Sequence, residues 1–301
     1  MNYSPLRYPG GKTKLAPLIA LLMQNCQNKC HTYIEPFAGG AGVALFMLLE
    51  NKVDTIIIND YDKAIYSFWR AVKEDTDKLL DLIEKTPLTI EEWKKQKYIF
   101  SNSNQRYSVD LAFAAFYLNR TNHSGVLTGG PIGGFEQQGR YLIDARYNRH
   151  ELMNRIGRIA ERKSAILVYN KEVRAFITQV VSSFLDNAFV YFDPPYYKKG
   201  KDLYKNFFKP DDHQRIAESI VQNVQCDWIV TYDDVPQIET LYEKYPRGKM
   251  RLRYSVASSS PSGSEIIVFK HSRYIPDALQ LAEQKIEVHT LCVPNNEGAP
   301  S

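Results

Sequence analysis

The residues Asp193-Pro194-Pro195-Tyr196 combine acceptors with an aromatic face, a set suited to gripping a flat, polar ring. An exocyclic amine on such a ring, adenine's for example, is a poor nucleophile because its lone pair is delocalised into the ring. Two acceptors aimed at its two N–H bonds draw that lone pair out of conjugation. The Asp193 carboxylate and the Pro194 carbonyl can be those acceptors, and Tyr196 offers a face for the base to stack on. A paired base must first leave the duplex to be held in this way. Taken alone, the four residues also fit an ordinary strand ending in a proline-rich turn.

The element that positions them is a strand. The apolar run Ala188, Phe189, Val190, Tyr191, Phe192 reads as a buried strand that stops at Asp193, since the prolines cannot continue a ladder. Asp193 then lies at a strand's carboxyl end, where open α/β sheets bind ligands. Upstream, Thr32 to Phe37 reads as a first strand, Ala38-Gly39-Gly40-Ala41-Gly42 as a glycine loop, and Val43 to Glu50 as a helix. This is a nucleotide-type βα turn whose glycines let a ligand lie against the backbone. A second strand, Thr55 to Ile58, ends in Asn59-Asp60, and an acid about twenty residues past a glycine loop is the expected partner of a ribose diol. The order Gly-Gly-Ala-Gly lacks the Gly-x-Gly-x-x-Gly spacing of hydride-transfer enzymes. Near the amino terminus, Gly11-Lys12-Thr13 invites a phosphate-loop reading, but the required first glycine would fall at Leu6 and no strand precedes it. What remains is a glycine turn flanked by the Tyr8 ring and the Lys12 cation, then a helix from about Lys14 to Cys26.

Between about Ala64 and Arg162 the texture is helical with aromatic and basic faces: Ile65 to Val72, Thr76 to Lys85, Ile90 to Phe100 and Val109 to Leu118. A glycine-rich loop from Gly125 to Gly139 precedes a basic stretch beginning at Arg140. Asn119, Arg120, Asn122, Gln137, Gln138 and Arg140 form a candidate surface for reading bases, because arginine suits phosphates and guanine edges and amides suit adenine. For each such residue the bland alternative is a solvated charged face. Lys198, Lys199, Lys201 and Lys205 follow the Asp-Pro-Pro-Tyr segment and could close over a DNA backbone. A strand at Ala165 to Tyr169, a helix at Asp211 to Val224, a strand at Asp227 to Thr231 and a hairpin of Leu252 to Ala257 with Glu265 to Lys270 complete the sheet. The tail after Pro294 reads as disordered.

The totals agree with a globular chain that has a mild bias to polyanions: 301 residues, 44% hydrophobic, formal net charge +4. Four irregularly spaced cysteines do not make a disulfide framework, so a reducing, cytoplasmic setting is expected. Cys26, Cys30 and His31 carry metal-ligating groups, but no second paired-cysteine cluster completes a tetrahedral site, and no metal is expected. The apolar run from Leu15 to Met23 is interrupted by Pro17, lacks a cleavage site and is too short to span a bilayer, so neither export nor a membrane is expected.

Together these motifs resemble the Dam-like, alpha-class DNA adenine methyltransferases, over nearly the whole chain to about His271. Tyr8-Pro9-Gly10-Gly11-Lys12 is similar to that family's amino-terminal motif, Glu35-Pro36-Phe37-Ala38-Gly39-Gly40 to its glycine motif, Asn59-Asp60 to its second-strand acid, and Asp193-Pro194-Pro195-Tyr196 to its catalytic motif. The resemblance implies a doubly wound, seven-stranded methyltransferase sheet of the class I, Rossmann-like type. It implies S-adenosylmethionine as donor, held by Tyr8, Lys12, Phe37, Gly39, Asp60 and Asp193, and catalysis by Asp193, Pro194, Pro195 and Tyr196 without a metal. The partner is double-stranded DNA on a prokaryotic or phage nucleoid, contacted by Asn119, Arg120, Asn122, Arg140, Lys198 and Lys199, with a separately acting restriction endonuclease as a further partner. The expected division is a catalytic domain of residues 1–63 and 163–275, a helical recognition domain of residues 64–162, and a tail of residues 276–301. Methylation of cytosine N4, with the same acceptor geometry, and a DNA-binding homologue without catalysis are the alternatives. Members that read GATC carry Asn-Arg-x-x-Phe-Asn-Gly where this chain has Asn119-Arg120-Thr121-Asn122-His123-Ser124-Gly125, so the likeness does not extend to that target.

Overall fold

The structure, a computed structural model, describes residues 3–8, 12–198, 208–251, 264–275 and 287–294. The chain folds as two compact units, Met1–Thr13 with Phe37–Glu172, and Lys14–Pro36 with Val173–Ser301.

In the first unit, β2 (Thr55–Asn59) runs parallel to β3 (Ile166–Tyr169), with Ile57 opposite Leu167. The glycine loop leads into α2 (Gly42–Leu49), and five helices lie between the two strands: α3 (Lys63–Glu74), α4 (Thr76–Lys85), α5 (Ile90–Asn102), α6 (Val109–Thr121) and α7 (Arg149–Ala160). Each begins for a local reason where a cap exists: Asp62, Thr89, Ser108 and Asn148 accept from backbone N–H groups of α3, α5, α6 and α7. Helix α6 is apolar on every side and is buried on every side, its residues Leu111 to Asn119 all enclosed. Phe116 of α6 stacks on Phe68 of α3 with ring centroids 5.7 Å apart. The expected recognition segment thus shares one unit with the glycine loop.

In the second unit the strands β1 (Thr32–Glu35), β4 (Ala188–Phe192), β5 (Asp227–Asp233), β6 (Arg247–Arg251), β7 (Ser264–Phe269) and β8 (Glu287–Cys292) lie in the order β1-β4-β5-β7-β6-β8. The first three are parallel and the rest antiparallel. All five residues of β4 are buried, as a strand covered on both faces must be. The helices are α1 (Ala16–Gln24), α8 (Val173–Gln179), α9 (Pro210–Asn223) and α10 (Pro236–Leu241). Pro17, read above as an interruption, sits in the first turn of α1, where its missing N–H costs no hydrogen bond.

The strand orders, with β7 reversed between β5 and β6, are those of a doubly wound class I methyltransferase sheet. Two details differ from expectation. The partner of β7 is Arg247–Arg251, not Leu252 to Ala257, which lies outside the described residues. The charged side of β6 hid it: Gly248 and Met250 are buried while the alternate Lys249 pairs with Asp234 at 2.9 Å and with Glu239 at 2.5 Å. Among the described residues an eighth strand, β8, adds to the expected seven by pairing with β6. Among the described residues no helix is long and apolar enough to cross a membrane.

Candidate active site

In the second unit β4 delivers Asp193 at its carboxyl end, and the neighbouring strands hold it. Phe192 pairs with Val230, so the next residue of β5, Thr231, stands beside Asp193 and donates its hydroxyl to Asp193 Oδ1 at 2.8 Å. The Thr231 oxygen also lies 2.8 Å from the Tyr191 hydroxyl, in a chain of three side chains that fixes the carboxylate's orientation. The Tyr196 hydroxyl donates to Glu265 Oε1 of β7 at 2.8 Å, which anchors the outer end of its ring. Asp233 completes the brace, its two oxygens accepting the backbone N–H groups of Tyr197 at 2.8 Å and Lys198 at 3.0 Å. Pro194 is buried, whereas Asp193, Pro195 and Tyr196 are half-buried. Hydrogen bonds to a charged group contribute roughly 1.5–3 kcal/mol each, so the loop is rigid where a base would be gripped. Behind it the Tyr197 ring lies 5.0 Å from that of His213, a buried residue whose pKa burial lowers and which lies 3.1 Å from the Tyr232 hydroxyl. Sequence reading missed Thr231, Asp233 and Glu265, because their roles follow from strand register.

In the first unit the glycine loop is built around Asp60. One Asp60 oxygen accepts the Gly39 N–H and the other the Asp62 N–H, both at 2.9 Å. The loop then turns back through two left-handed residues, Gly39 at φ +45° and Ala41 at φ 47°. The Trp69 indole N–H donates to the Gly39 carbonyl at 2.8 Å. Tyr8 covers the loop so closely that a Cβ on Gly39 would come within 2.6 Å of its ring. Burial pushes the Asp60 carboxyl up to about 7; the neighbouring Asp62 adds to this and the two N–H bonds oppose it. Asp60, Phe37 and Tyr8 are half-buried, whereas Lys12 is nearly enclosed at 5% exposure. An acid at the end of β2, a glycine cradle that no side chain could share, and an aromatic ring beside it fit a nucleoside-bearing donor. Pro9, Gly10 and Gly11 lie outside the described residues.

The candidate base-reading residues divide. Asn119 and Asn122 are 1% and 0% exposed. Asn119 accepts the Arg7 N–H at 2.7 Å and donates to the carbonyls of Arg7 at 2.7 Å and Gly125 at 2.9 Å. Asn122 accepts from the Trp93 indole at 2.7 Å and donates to the Val126 carbonyl at 2.8 Å. Their amides are spent on the fold, Asn119's on the segment that leads to Tyr8, and neither can present a free edge to a base. Arg120 is also largely enclosed, donating to the Arg146 carbonyl at 2.8 Å, and burial lowers its pKa to about 10. Arg149 and Arg162 likewise bond backbone carbonyls, Ile83 at 2.8 Å and Leu48 at 3.4 Å. Much of the basic stretch is therefore internal. Arg140 and Arg146 remain exposed, their guanidinium groups 5.5 and 5.9 Å from the exposed Tyr141 ring. Lys198 is exposed, and Lys199 with the rest of the lysine-rich loop lies outside the described residues.

Comparison with known proteins adds the family. The D12 class N6 adenine-specific DNA methyltransferases match residues 8–256. The type II methyltransferase M.MjaIII of Methanocaldococcus jannaschii is 26% identical over 71% of this chain and 77% of its own. M.CviBI of Paramecium bursaria Chlorella virus NC1A is 25% identical over 83% of this chain and 90% of its own. M1.LlaDCHI of Lactococcus lactis subsp. cremoris is 27% identical over 89% and 95%. With the family match running from Tyr8 through the glycine loop, Asp60 and the braced Asp193 loop, the chain belongs to the D12 class N6 adenine-specific DNA methyltransferases.

Proposed function

We propose that this S-adenosylmethionine-dependent enzyme takes its target adenine out of duplex DNA and holds it in the loop that begins at Asp193. Asp193 and the Pro194 carbonyl accept the two N6–H bonds, while Tyr196 stacks on the base and Pro195 keeps the turn stiff. The lone pair released from conjugation forms the new C–N bond as the S–CH3 bond breaks, and one amine proton passes to water. The donor supplies the electrophilic methyl group on its sulfonium, and no metal enters the transfer step. Tyr8, Lys12, Phe37, Gly39 and Asp60 hold the donor, with Asp60 on its ribose. Asp193, at the carboxyl end of β4, is the further contact to the donor that the family resemblance implies.

The helices α3 to α7 form the recognition region, and its DNA contacts come from Arg140 and Arg146 flanking Tyr141; Lys198 and Lys199, which follow the Asp193 loop, contact the DNA backbone in their own right. Asn119 and Asn122 have no place in that set. The type II designation of the relatives supports a restriction-linked role beside a separate endonuclease.

The observation that carries the reading is the Asp193 loop itself, an acid and a prolyl carbonyl at the end of β4 in a loop braced by Thr231, Glu265 and Asp233. The test is incubation of unmethylated genomic DNA with the enzyme and labelled S-adenosylmethionine, followed by sequencing that reports modified bases. N6-methyladenine in one short recurring sequence is expected. Label on cytosine, or on adenines without a common context, would overturn it.

A further inference from the structure

Outside the site just described, the second unit gathers a group of metal-ligating side chains. Cys26 follows the end of α1 and Cys30 precedes β1, a Cys-x3-Cys spacing. The fold brings Asp227, the first residue of β5, to this pair, and one ligand atom from each of the three lies within 4.8 Å of the others. The sequence shows the pair of thiols; only the strand order shows the acid that joins them. Cys30 and Asp227 are 4% and 8% exposed, so the group lies at the edge of the core with Cys26 as its half-buried side.

The geometry points to a zinc site made of Cys26, Cys30 and Asp227, with water in the fourth position. A Cys-x2–4-Cys pair is a recurrent half of structural zinc sites, and tetrahedral ligands at Zn–S distances of about 2.3 Å lie roughly 3.7 Å apart, within small rotamer shifts of the observed spacing. Charge favours the ion. Two thiolates and a carboxylate carry three negative charges; the zinc brings two positive ones, and the Arg273 guanidinium, 3.8 Å from Asp227 Oδ1, and the nearby Lys270 ammonium add to them. The Tyr274 hydroxyl donates to Asp227 and orients the carboxylate as an outer partner of a metal ligand does. Zinc is held by thiolates, so its binding releases the protons of both thiols.

The position also defines the role. β1, β4 and β5 are parallel, so Cys30 and Asp227 mark the amino ends of strands whose carboxyl side carries Asp193. The ion would tie the segment between α1 and β1 to the start of β5, and methyl transfer would not pass through it.

The test uses the purified full chain, stripped with a chelator and titrated with cobalt(II), whose thiolate charge-transfer absorption reports sulfur ligation. One cobalt per chain is expected, with the band at least tenfold weaker in Cys26→Ser and in Cys30→Ser, and affinity down tenfold or more in Asp227→Asn. Zinc-loaded protein should melt several degrees above stripped protein, with an unchanged methyl-transfer rate at 25 °C. Absence of the band in the wild-type chain, a band undiminished in Cys26→Ser, or a Cys26–Cys30 disulfide in freshly prepared protein that binds no cobalt would overturn the site. Because the readout is metal binding, its failure is separable from failure of the catalytic reading.

Discussion

At the scale of single residues, the carboxylates of the site take different tasks from their different surroundings. Asp193 is oriented by Thr231, so replacing Thr231 by the isosteric valine should slow the transfer step about tenfold while the KM for the donor stays within about twofold, because a hydrogen bond to a charged group contributes roughly 1.5–3 kcal/mol. Single-turnover rates with saturating donor check this, and an unchanged rate would remove Thr231 from the positioning chain. Asp60 gives a pH prediction. Its carboxyl is pushed up to about 7, and ribose hydroxyls donate to the ionised form, so donor affinity should rise as pH increases from 6 to 8. In the ligand-free protein the sign is opposite. The raised value stabilises the native state fully below the ordinary 3.8, and that contribution is lost as pH rises towards 7. Calorimetric titration of the donor should show the rise in affinity for the wild type and a flat, weaker profile for Asp60→Asn.

At the scale of elements, the glycine loop is the most constrained piece. Gly39→Ala would force a Cβ into the Tyr8 ring at a left-handed φ of +45°, which costs on the order of 1–3 kcal/mol of strain before the ring moves. A fall in melting temperature and a loss of donor binding of tenfold or more are expected, with DNA affinity within a factor of two. This loop was legible in the sequence, and so were β4 with its acid and the spacing from glycines to Asp60, because local chemistry dictates each. Elements whose signal lies in pairing were not legible. β6 shows three charged residues in five and is a strand only because its alternate positions face the core beside β7, and β8 shows itself only by its ladder with β6. The same limit explains Asn119 and Asn122: an amide near arginines looks like a reader of bases until its partners prove to be the backbone of Arg7 and of Val126. It explains Thr231 and Glu265 as well, since each lies dozens of residues from the side chain it holds.

At the scale of the molecule, a net charge of +4 is too small to bind DNA by itself, and affinity must come from a local surface. With so many arginines bonded internally, Arg140 and Arg146 beside Tyr141 should carry a measurable share of the phosphate contacts. Each alanine replacement there is expected to lower the slope of log affinity against log salt by about one, weakening all sequences alike and leaving the methylated sequence unchanged. Filter binding over a salt series checks the first part and modified-base sequencing the second.

The central claim is that Asp193 activates the adenine amine, and the most direct measurement is the single-turnover rate of Asp193→Ala with donor and target DNA both at saturating concentration. Removing one preorganised group of this kind costs about 10²–10³ in rate, so a drop of at least a hundredfold with DNA affinity within a factor of a few is expected. A rate within tenfold of the wild type would contradict the account.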